Sequence, residues 1–424
     1  MAKQQFQTVR GTYDILPDNP GFDFVAETFI NLARQAGYGH IETPVLEDKN
    51  LFSRSVGEHT DVVEKEMYTL KDRSDNELAM RPEGTAGVMR AYIQNGLGSW
   101  PQPVKLYYFE PMFRYDRPQA GRTRQHYQLG LEIIGEDAPS ADAQVITFAN
   151  RLYKKLGLTQ LSLQINSLGD EVCRPKYRKA LVEYLQANKA KLCDTCKDRL
   201  DTNPMRVLDC KDPNCQAVIA AAPQTLNFLC KACQAHFEGV LEYLDDLGIG
   251  YELNPQLVRG LDYYTRTVFE FFGSRAGAQS SVSGGGRYDG LAELLGGKPT
   301  PAVGFSTSIE RISLELGQYG VDIQPRQDTK VFVASLGEPA RLAAFRLTEE
   351  LLDGGVGAVG SVDKNSIQTQ LGKADRLHAP YAIIIGQKEV LDKTVILRDM
   401  GSGAQEMIPL DQVVAELQKR FLVS

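Results

Sequence analysis

Residues 22–36, FDFVAETFINLARQA, carry apolar side chains at 22, 25, 26, 29, 30 and 33, the spacing that lines one face of a helix. Pro20 stands ahead of this stretch and Gly37 behind it, residues suited to a helix start and stop. A short strand ending in ETPVLE comes next. Apolar alternation then predicts strands at 77–81 (ELAMR), 104–110 (VKLYYFE), 129–134 (LGLEII), 161–165 (LSLQI), 266–272 and 302–306 (AVGFS). Many are joined by loops or hairpins rather than by regular helices, which predicts an α+β fold: an antiparallel sheet with helices packed on it. Residues 171–254 break this series with helical patterning, as an inserted subdomain would. The first 170 residues and 255–318 are then two parts of one domain. Residues 319–328, which carry Gly320 and Pro325, read as a linker. Beyond it, strands near 329–336, 356–362, 380–386 and 393–400 alternate with helices near 338–353, 364–377 and 410–421. That alternation predicts a second, α/β domain over 329–424 with a mostly parallel sheet.

Composition adds bounds. A chain of 424 residues has room for two or three domains. Its 42% hydrophobic and 24% charged residues match ordinary soluble proteins. No apolar run approaches the roughly 20 residues that span a bilayer, and the polar start MAKQQFQTVRG lacks an apolar signal core. The expectation is a cytoplasmic protein without a membrane partner. The formal charge of −7 argues against a surface coated in positive potential, but a local basic patch suffices to engage phosphates.

Six of the seven cysteines lie between 193 and 233. Two Cys-x-x-Cys pairs, CDTC and CKAC, flank Cys210 and Cys215. Disulfides are disfavoured in a cytoplasmic chain, whereas paired thiolates suit tetrahedral zinc. Cys193, Cys196, Cys230 and Cys233 are candidate ligands for one structural Zn²⁺, beside the reading that they are reduced thiols without metal. GVGAVG (355–360) spells a dinucleotide fingerprint, yet it leaves a helix and enters a strand, the reverse of the required order. There is no Walker A sequence.

Three stretches carry chemistry. PMFRYDRPQAGRTRQHYQLGLE (111–132) places Arg114, Arg117, Arg122 and Arg124 on a predicted hairpin, and arginine forks suit phosphate. LVRGLDYYTRTVFEFF (257–272) sets Arg259 and Asp262 at the mouth of an apolar strand, as either a local ion pair or a cation awaiting an anion. In TPAVGFSTSIERISL (300–314) a glycine-bearing strand runs into a helix with Glu310 and Arg311.

Together these stretches resemble the class II aminoacyl-tRNA synthetases, and within them the histidyl-tRNA synthetase family. PVLE, with Pro44, resembles motif 1; FRYDRPQ motif 2; GFSTSIER motif 3. RPEGT (81–85), LVRGLDYY (257–264) and SGGGRYDGL (283–291) resemble stretches particular to the histidine enzymes. The resemblance runs from about residue 6 to the end. One departure is Ser308, where the family usually has glycine, and it would crowd the nucleotide slightly.

The resemblance implies a substrate complex of ATP with Mg²⁺, L-histidine, histidine tRNA and a homodimer. Arg114, Arg259 and Arg311 would act as the catalytic, phosphate-binding cations. Glu83, Gly84, Thr85, Arg114, Gln128, Glu132, Arg259, Tyr263 and Tyr264 would hold histidine, Glu132 and Tyr264 facing its imidazole. Arg117 and Gln119 would meet the tRNA acceptor end. Residues 329–424 resemble an anticodon-binding domain, although their eleven basic and twelve acidic residues give no net attraction for RNA. Two rivals are a catalytically silent relative, the regulatory subunit of ATP phosphoribosyltransferase, and a zinc-dependent nucleic-acid-binding protein. The first as a family lacks the C-terminal domain and degrades the arginine stretches; the second leaves LVRGLDYY unexplained.

Overall fold

The structure is a computed structural model that describes residues 6–17, 19–57, 60–119, 121–273, 281–323, 328–361 and 366–422. It forms two compact units, Met1–Ile323 and Gln324–Ser424. In chain order the strands described in the first unit are β1 (Gly39–His40), β2 (Leu46–Asp48), β3 (Thr69–Lys71), β4 (Glu77–Met80), β5 (Val104–Phe113), β6 (Gln125–Ile134), β7 (Ser162–Ser167), β8 (Glu252–Leu253), β9 (Thr265–Phe272), β10 (Ser281–Arg287) and β11 (Ala302–Ser308). Eight make one sheet in the order β1-β5-β6-β11-β10-β9-β7-β8. Its pairings are antiparallel except at the two edges, β1–β5 and β7–β8. β2, β4 and β3 form a small separate antiparallel sheet.

Alternation along the central strands sorts side chains between the two faces. Leu129, Leu131 and Ile133 of β6, Phe269 and Phe271 of β9 and Val303 and Phe305 of β11 enter one core. That core also holds Phe22, Val25, Ala26, Phe29 and Ala33 of the helix Pro20–Gln35, with Val145, Ile146 and Leu152 of the helix Pro139–Lys155. The intervening residues therefore face the other way. There Gln128, Gly130 and Glu132 of β6 lie opposite Ser308, Ser306 and Gly304 of β11, and Glu270 of β9 lies opposite Gly284 of β10. This face carries the site. β10 has too little apolar alternation to announce itself, since SVSGGGR contains three consecutive glycines.

Residues 171–254 supply the helices Arg174–Ala187, Asp194–Thr202, Pro213–Ile219 and Lys231–Asp246. The two Cys-x-x-Cys pairs do not converge here as one set. Cys193 and Cys196 gather with Cys210 and Cys215, while Cys230 and Cys233 gather with Asp170 and Cys173. The four-cysteine grouping expected from the sequence is thus corrected: helices start at both pairs, and each pair meets different chain segments.

In the second unit β12 (Val331–Ser335), β13 (Ala358–Gly360), β14 (Tyr381–Ile385), β15 (Thr394–Asp399) and β16 (Gln405–Pro409) form a sheet in the order β13-β12-β14-β15-β16. β12 runs parallel to β13 and β14, but β14–β15 and β15–β16 are antiparallel. The sheet is therefore mixed rather than mostly parallel. A parallel crossover needs about a dozen residues or more, and the short helix Gln387–Asp392 between β14 and β15 does not give that length. GVGAVG follows a helix and enters a strand: Gly354, just ahead of it, is the C-cap of Glu338–Asp353, Gly355 has φ +75°, and Gly360 lies in β13.

Candidate active site

Arg114, Arg259 and Arg311 line one cleft of about 850 Å³, together with His126, Gln128, Glu270, Gly284 and Ser308. Each arginine arrives by a different route. Arg114 follows β5, and its Nε donates to the carbonyl of Pro82 at 2.7 Å. Arg311 lies in the first turn of the helix Ile309–Gln318, where its backbone N–H is capped by the Ser308 hydroxyl at 3.2 Å and its guanidinium donates to the Ser281 carbonyl at 2.9 Å. Burial lowers the pKa of Arg311 to about 10, with Arg122 and Arg114 adding repulsion. The cleft therefore holds positive charge that an anion would relieve.

Arg259 is ion-paired with Glu270, both about 15% exposed, and its guanidinium lies 5.2 Å from the Tyr264 ring centre. Burial opposes its charge, but Glu270, Tyr264 and Tyr263 together outweigh that and raise the pKa. The local-ion-pair reading thus describes the free protein, with Glu270 rather than Asp262 as partner. Asp262 instead accepts from the Asn203 amide at 3.0 Å. The tandem glycines explain how Arg259 lies so close to the sheet: a Cβ at Gly284 would collide with its guanidinium.

Glu83, Gly84, Thr85, Glu132, Tyr263 and Tyr264, further histidine-site candidates, form a buried cluster and are not among the described residues of the cleft wall. Glu83 accepts from the backbone N–H groups of Thr85 and Ala86 at 2.8 and 2.9 Å, at the start of the helix Thr85–Gln94, and the Tyr263 hydroxyl lies 3.4 Å from it. Glu83 makes no salt bridge with Arg81, two residues before it, among the described residues. Arg81 pairs with Glu110 at 3.0 Å and donates to the Thr43 and Pro111 carbonyls. Gly84 is the N-cap, and a Cβ there would strike the Tyr108 ring. Glu132, 1% exposed, accepts from the Thr85 hydroxyl at 2.9 Å and from Tyr288. Burial raises its pKa to about 8, and Glu83 adds to the rise. Gly304, opposite Glu132, leaves room for that carboxylate. Tyr263 and Tyr264 stack at 4.6 Å, and Tyr288 meets Tyr263 at 5.6 Å. The Gln128 carbonyl oxygen is buried without a hydrogen-bond partner and lies on the cleft wall.

Arg117 and Gln119 are exposed on the loop between β5 and β6, where Gln119 bridges to Arg122 through the backbone. Of the remaining loop arginines, Arg122 pairs with Asp116 at 3.2 Å and Arg124 stacks on Tyr115 at 3.7 Å. Sequence reasoning assigned no role to Glu270, Tyr288 or His126. A carboxylate inside FEFF was the available signal for Glu270, and Tyr288 lay within a quoted stretch. His126 offered no signal. Burial lowers its pKa to about 3, with Arg114 and Arg311 adding to the effect.

An antiparallel sheet flanked by helices, with arginines from a strand-loop-strand segment and from the helix after the last strand, defines a class II aminoacyl-tRNA synthetase. Comparison with known proteins narrows this. The family model "Histidyl-tRNA synthetase" matches residues 12–312 and that of the "Anticodon binding domain" matches 330–420. A protein of Dehalococcoides mccartyi named Histidine--tRNA ligase is 48% identical over 98% of this chain and all of its own length. One of the same name from Pelotomaculum thermopropionicum is 46% identical over 97% of each. The crystal structure of apo S. aureus histidyl-tRNA synthetase superposes with a TM-score of 0.81 at 38% identity, covering 97% of this chain and 99% of that one. The chain belongs to the histidyl-tRNA synthetase family. A Bacillus halodurans structure titled as an ATP phosphoribosyltransferase regulatory subunit/histidyl-tRNA synthetase has a TM-score of 0.64 at 22% identity, covering 90% of this chain and 99% of that one, a likeness of fold alone.

Proposed function

We propose that the chain ligates L-histidine to histidine tRNA at the expense of ATP, through a histidyl-adenylate. The histidine carboxylate attacks the α-phosphorus of ATP. An O–P bond forms, the bond to the β-phosphate oxygen breaks, and pyrophosphate leaves. The terminal ribose 3′ hydroxyl of tRNA then attacks the activated carbonyl carbon and releases AMP. Such steps depend on positioning and charge stabilisation more than on covalent help from the protein. ATP enters as its Mg²⁺ complex, a substrate.

The observation that carries this reading is the meeting of Arg114, Arg259 and Arg311, from distant parts of the chain, on one cleft wall. Arg259 leaves Glu270 for the α-phosphate, Arg114 holds that phosphate from the other side, and Arg311 pins the γ end. Glu132, Tyr264 and Gln128 select the imidazole, while Glu83 and Thr85 take the α-ammonium with Gly84 and Tyr263 beside them. Polar partners of this kind can reject analogues that lack the matching groups by about 10⁴. Arg117 and Gln119 meet the acceptor end of the tRNA, and residues 329–424 its anticodon arm. The working form is a cytoplasmic homodimer, as the motif 1 resemblance implies; no described helix is long and apolar enough to cross a membrane. The silent-subunit reading is not favoured, because relatives named as ligases match over the full length.

Pyrophosphate exchange tests the proposal. It should require histidine and ATP before any tRNA is added. Exchange driven equally by another amino acid, or none at all, would refute it.

A further inference from the structure

We infer that residues 170–233 hold two separate zinc ions, one in a Cys₄ site (Cys193, Cys196, Cys210, Cys215) and one in a Cys₃Asp site (Asp170, Cys173, Cys230, Cys233). The ligand atoms of each set lie within 4.8 Å of one another. None of these cysteines is in a disulfide. The Sγ atoms of Cys193 and Cys210 are 3.8 Å apart, as are those of Cys173 and Cys233. A disulfide requires about 2.05 Å. Tetrahedral zinc with Zn–S of about 2.3 Å sets its sulfurs about 3.8 Å apart. An Asp oxygen bound at about 2.1 Å should lie about 3.6 Å from each sulfur. The nearer Asp170 oxygen lies 3.4 Å from Cys173 Sγ and 3.8 Å from Cys230 Sγ.

The surroundings fit metal thiolates. In each Cys-x-x-Cys pair the first cysteine is a helix N-cap and the second lies in the first turn, so both sulfurs face one point. Backbone N–H groups are aimed at sulfur: Cys193 N–H to Cys215 at 3.1 Å, Asp170 N–H to Cys173 at 3.3 Å, and Asp212 and Cys233 N–H to Cys210 and Cys230 at 3.5 Å. Partners of this kind orient metal ligands and tune their basicity. Arg266 lies 3.6 Å from the second Asp170 oxygen. Soft thiolates in tetrahedral sets select zinc over hard cations, and closed four-ligand sites are structural rather than catalytic.

Both sites are tied to the segment that carries Arg259 and Tyr264. Next to the Cys₄ site, Arg199 and Arg206 pair with Asp61 at 2.9 and 3.3 Å, Arg206 donates to the Arg259 carbonyl at 3.3 Å, and Asn203 holds Asp262. Next to the Cys₃Asp site, Arg174 donates to the Tyr264 carbonyl at 2.5 Å, and the Arg266 N–H donates to the Gly169 carbonyl at 2.8 Å. The ions would staple the inserted helices and, through them, fix the entrance of β9.

Elemental analysis of the full chain, purified without chelator, decides the matter independently of activity. The expected content is two zinc per chain, one in Cys215→Ser and one in Cys233→Ser. Cobalt-grown protein should show thiolate-to-cobalt charge-transfer bands that fall stepwise in the same variants. If a variant does not fold, the wild-type stoichiometry still decides: a chelating dye should release two equivalents while the seven thiols become reactive in step. Zero or one zinc, iron in its place, or seven thiols reactive from the outset would overturn the inference. Failure of histidine-dependent exchange with two zinc bound would count against the proposed activity and leave the metal sites standing.

Discussion

Arg259 exchanges partners if the proposed chemistry is right, and its present partner sets the cost. Arg259 and Glu270 are both nearly buried; removing one member of such a pair leaves an uncompensated charge, at about 3–5 kcal/mol. Arg259→Ala is therefore expected to lower thermal stability as well as slow pyrophosphate exchange, by about 10²–10³ by analogy with loss of an oxyanion donor. Arg259→Ala/Glu270→Gln should regain much of the stability and none of the rate. A double variant as fast as wild type would remove Arg259 from the chemistry. Glu132 makes a second residue-scale prediction. Its folded-state pKa, about 8, lies above the ordinary value of 4.5 because of burial, then Glu83. The folded protein thus keeps a proton that the unfolded chain loses. The stability this contributes is complete below about pH 4.5 and is lost as pH rises toward 8. Denaturant titrations across that window should show a decline that Glu132→Gln flattens. His126, held neutral by burial, works in the opposite sense, its stability present above pH 6.5 and lost as pH falls toward 3. At this scale the arginines were legible because a guanidinium cluster is rare and costly. Glu270 was not, because a sequence does not reveal which buried carboxylate will reach a given cation.

Strands and helices carry the next layer. β10 places Gly284 against Arg259 and Gly286, at φ +156°, against Tyr264. Gly284→Ala should leave the protein folded but push the guanidinium aside, cutting exchange at least about tenfold; exchange at the wild-type rate would mean that the contact does not position Arg259. The Ser308 departure has a local explanation. Its hydroxyl caps the helix that begins at Ile309 by accepting from the Arg311 N–H, so it steadies the arginine from its own place on the cleft wall. Ser308→Ala should cost about 0.5–2 kcal/mol and Ser308→Gly a few tenths, read from melting curves. Elements with a clear period, such as the helix Pro20–Gln35 and β5, could be read from the chain within a few residues. β10 could not, because glycine contributes no side chain to a hydrophobic pattern and the burial comes from its neighbours.

At the scale of the whole molecule, two units with their own cores imply separable tasks. The second unit closes one face of its sheet with Phe332, Ala334, Ala374, Ala379 and Ala382. Its existence was legible because strand and helix periods alternate after residue 329. Its strand directions were not, because the brevity of the connection from β14 to β15, not the side-chain pattern, turns the last strands antiparallel. Phe332 is 2% exposed, and truncating such a phenylalanine costs about 3–5 kcal/mol. A domain of this size has only about 5–15 kcal/mol in reserve. Phe332→Ala should therefore loosen residues 329–424 and leave the arginine cleft of the first unit unaltered. Histidine-dependent pyrophosphate exchange, which needs no tRNA, should stay within about twofold of wild type, while charging of histidine tRNA at limiting tRNA falls as the Michaelis constant for tRNA rises. Lowering the temperature should restore charging, because it refolds the damaged unit without touching the catalytic groups. If exchange and charging instead fall together, the second unit supports adenylate formation itself, and the division of labour proposed for the two units is wrong.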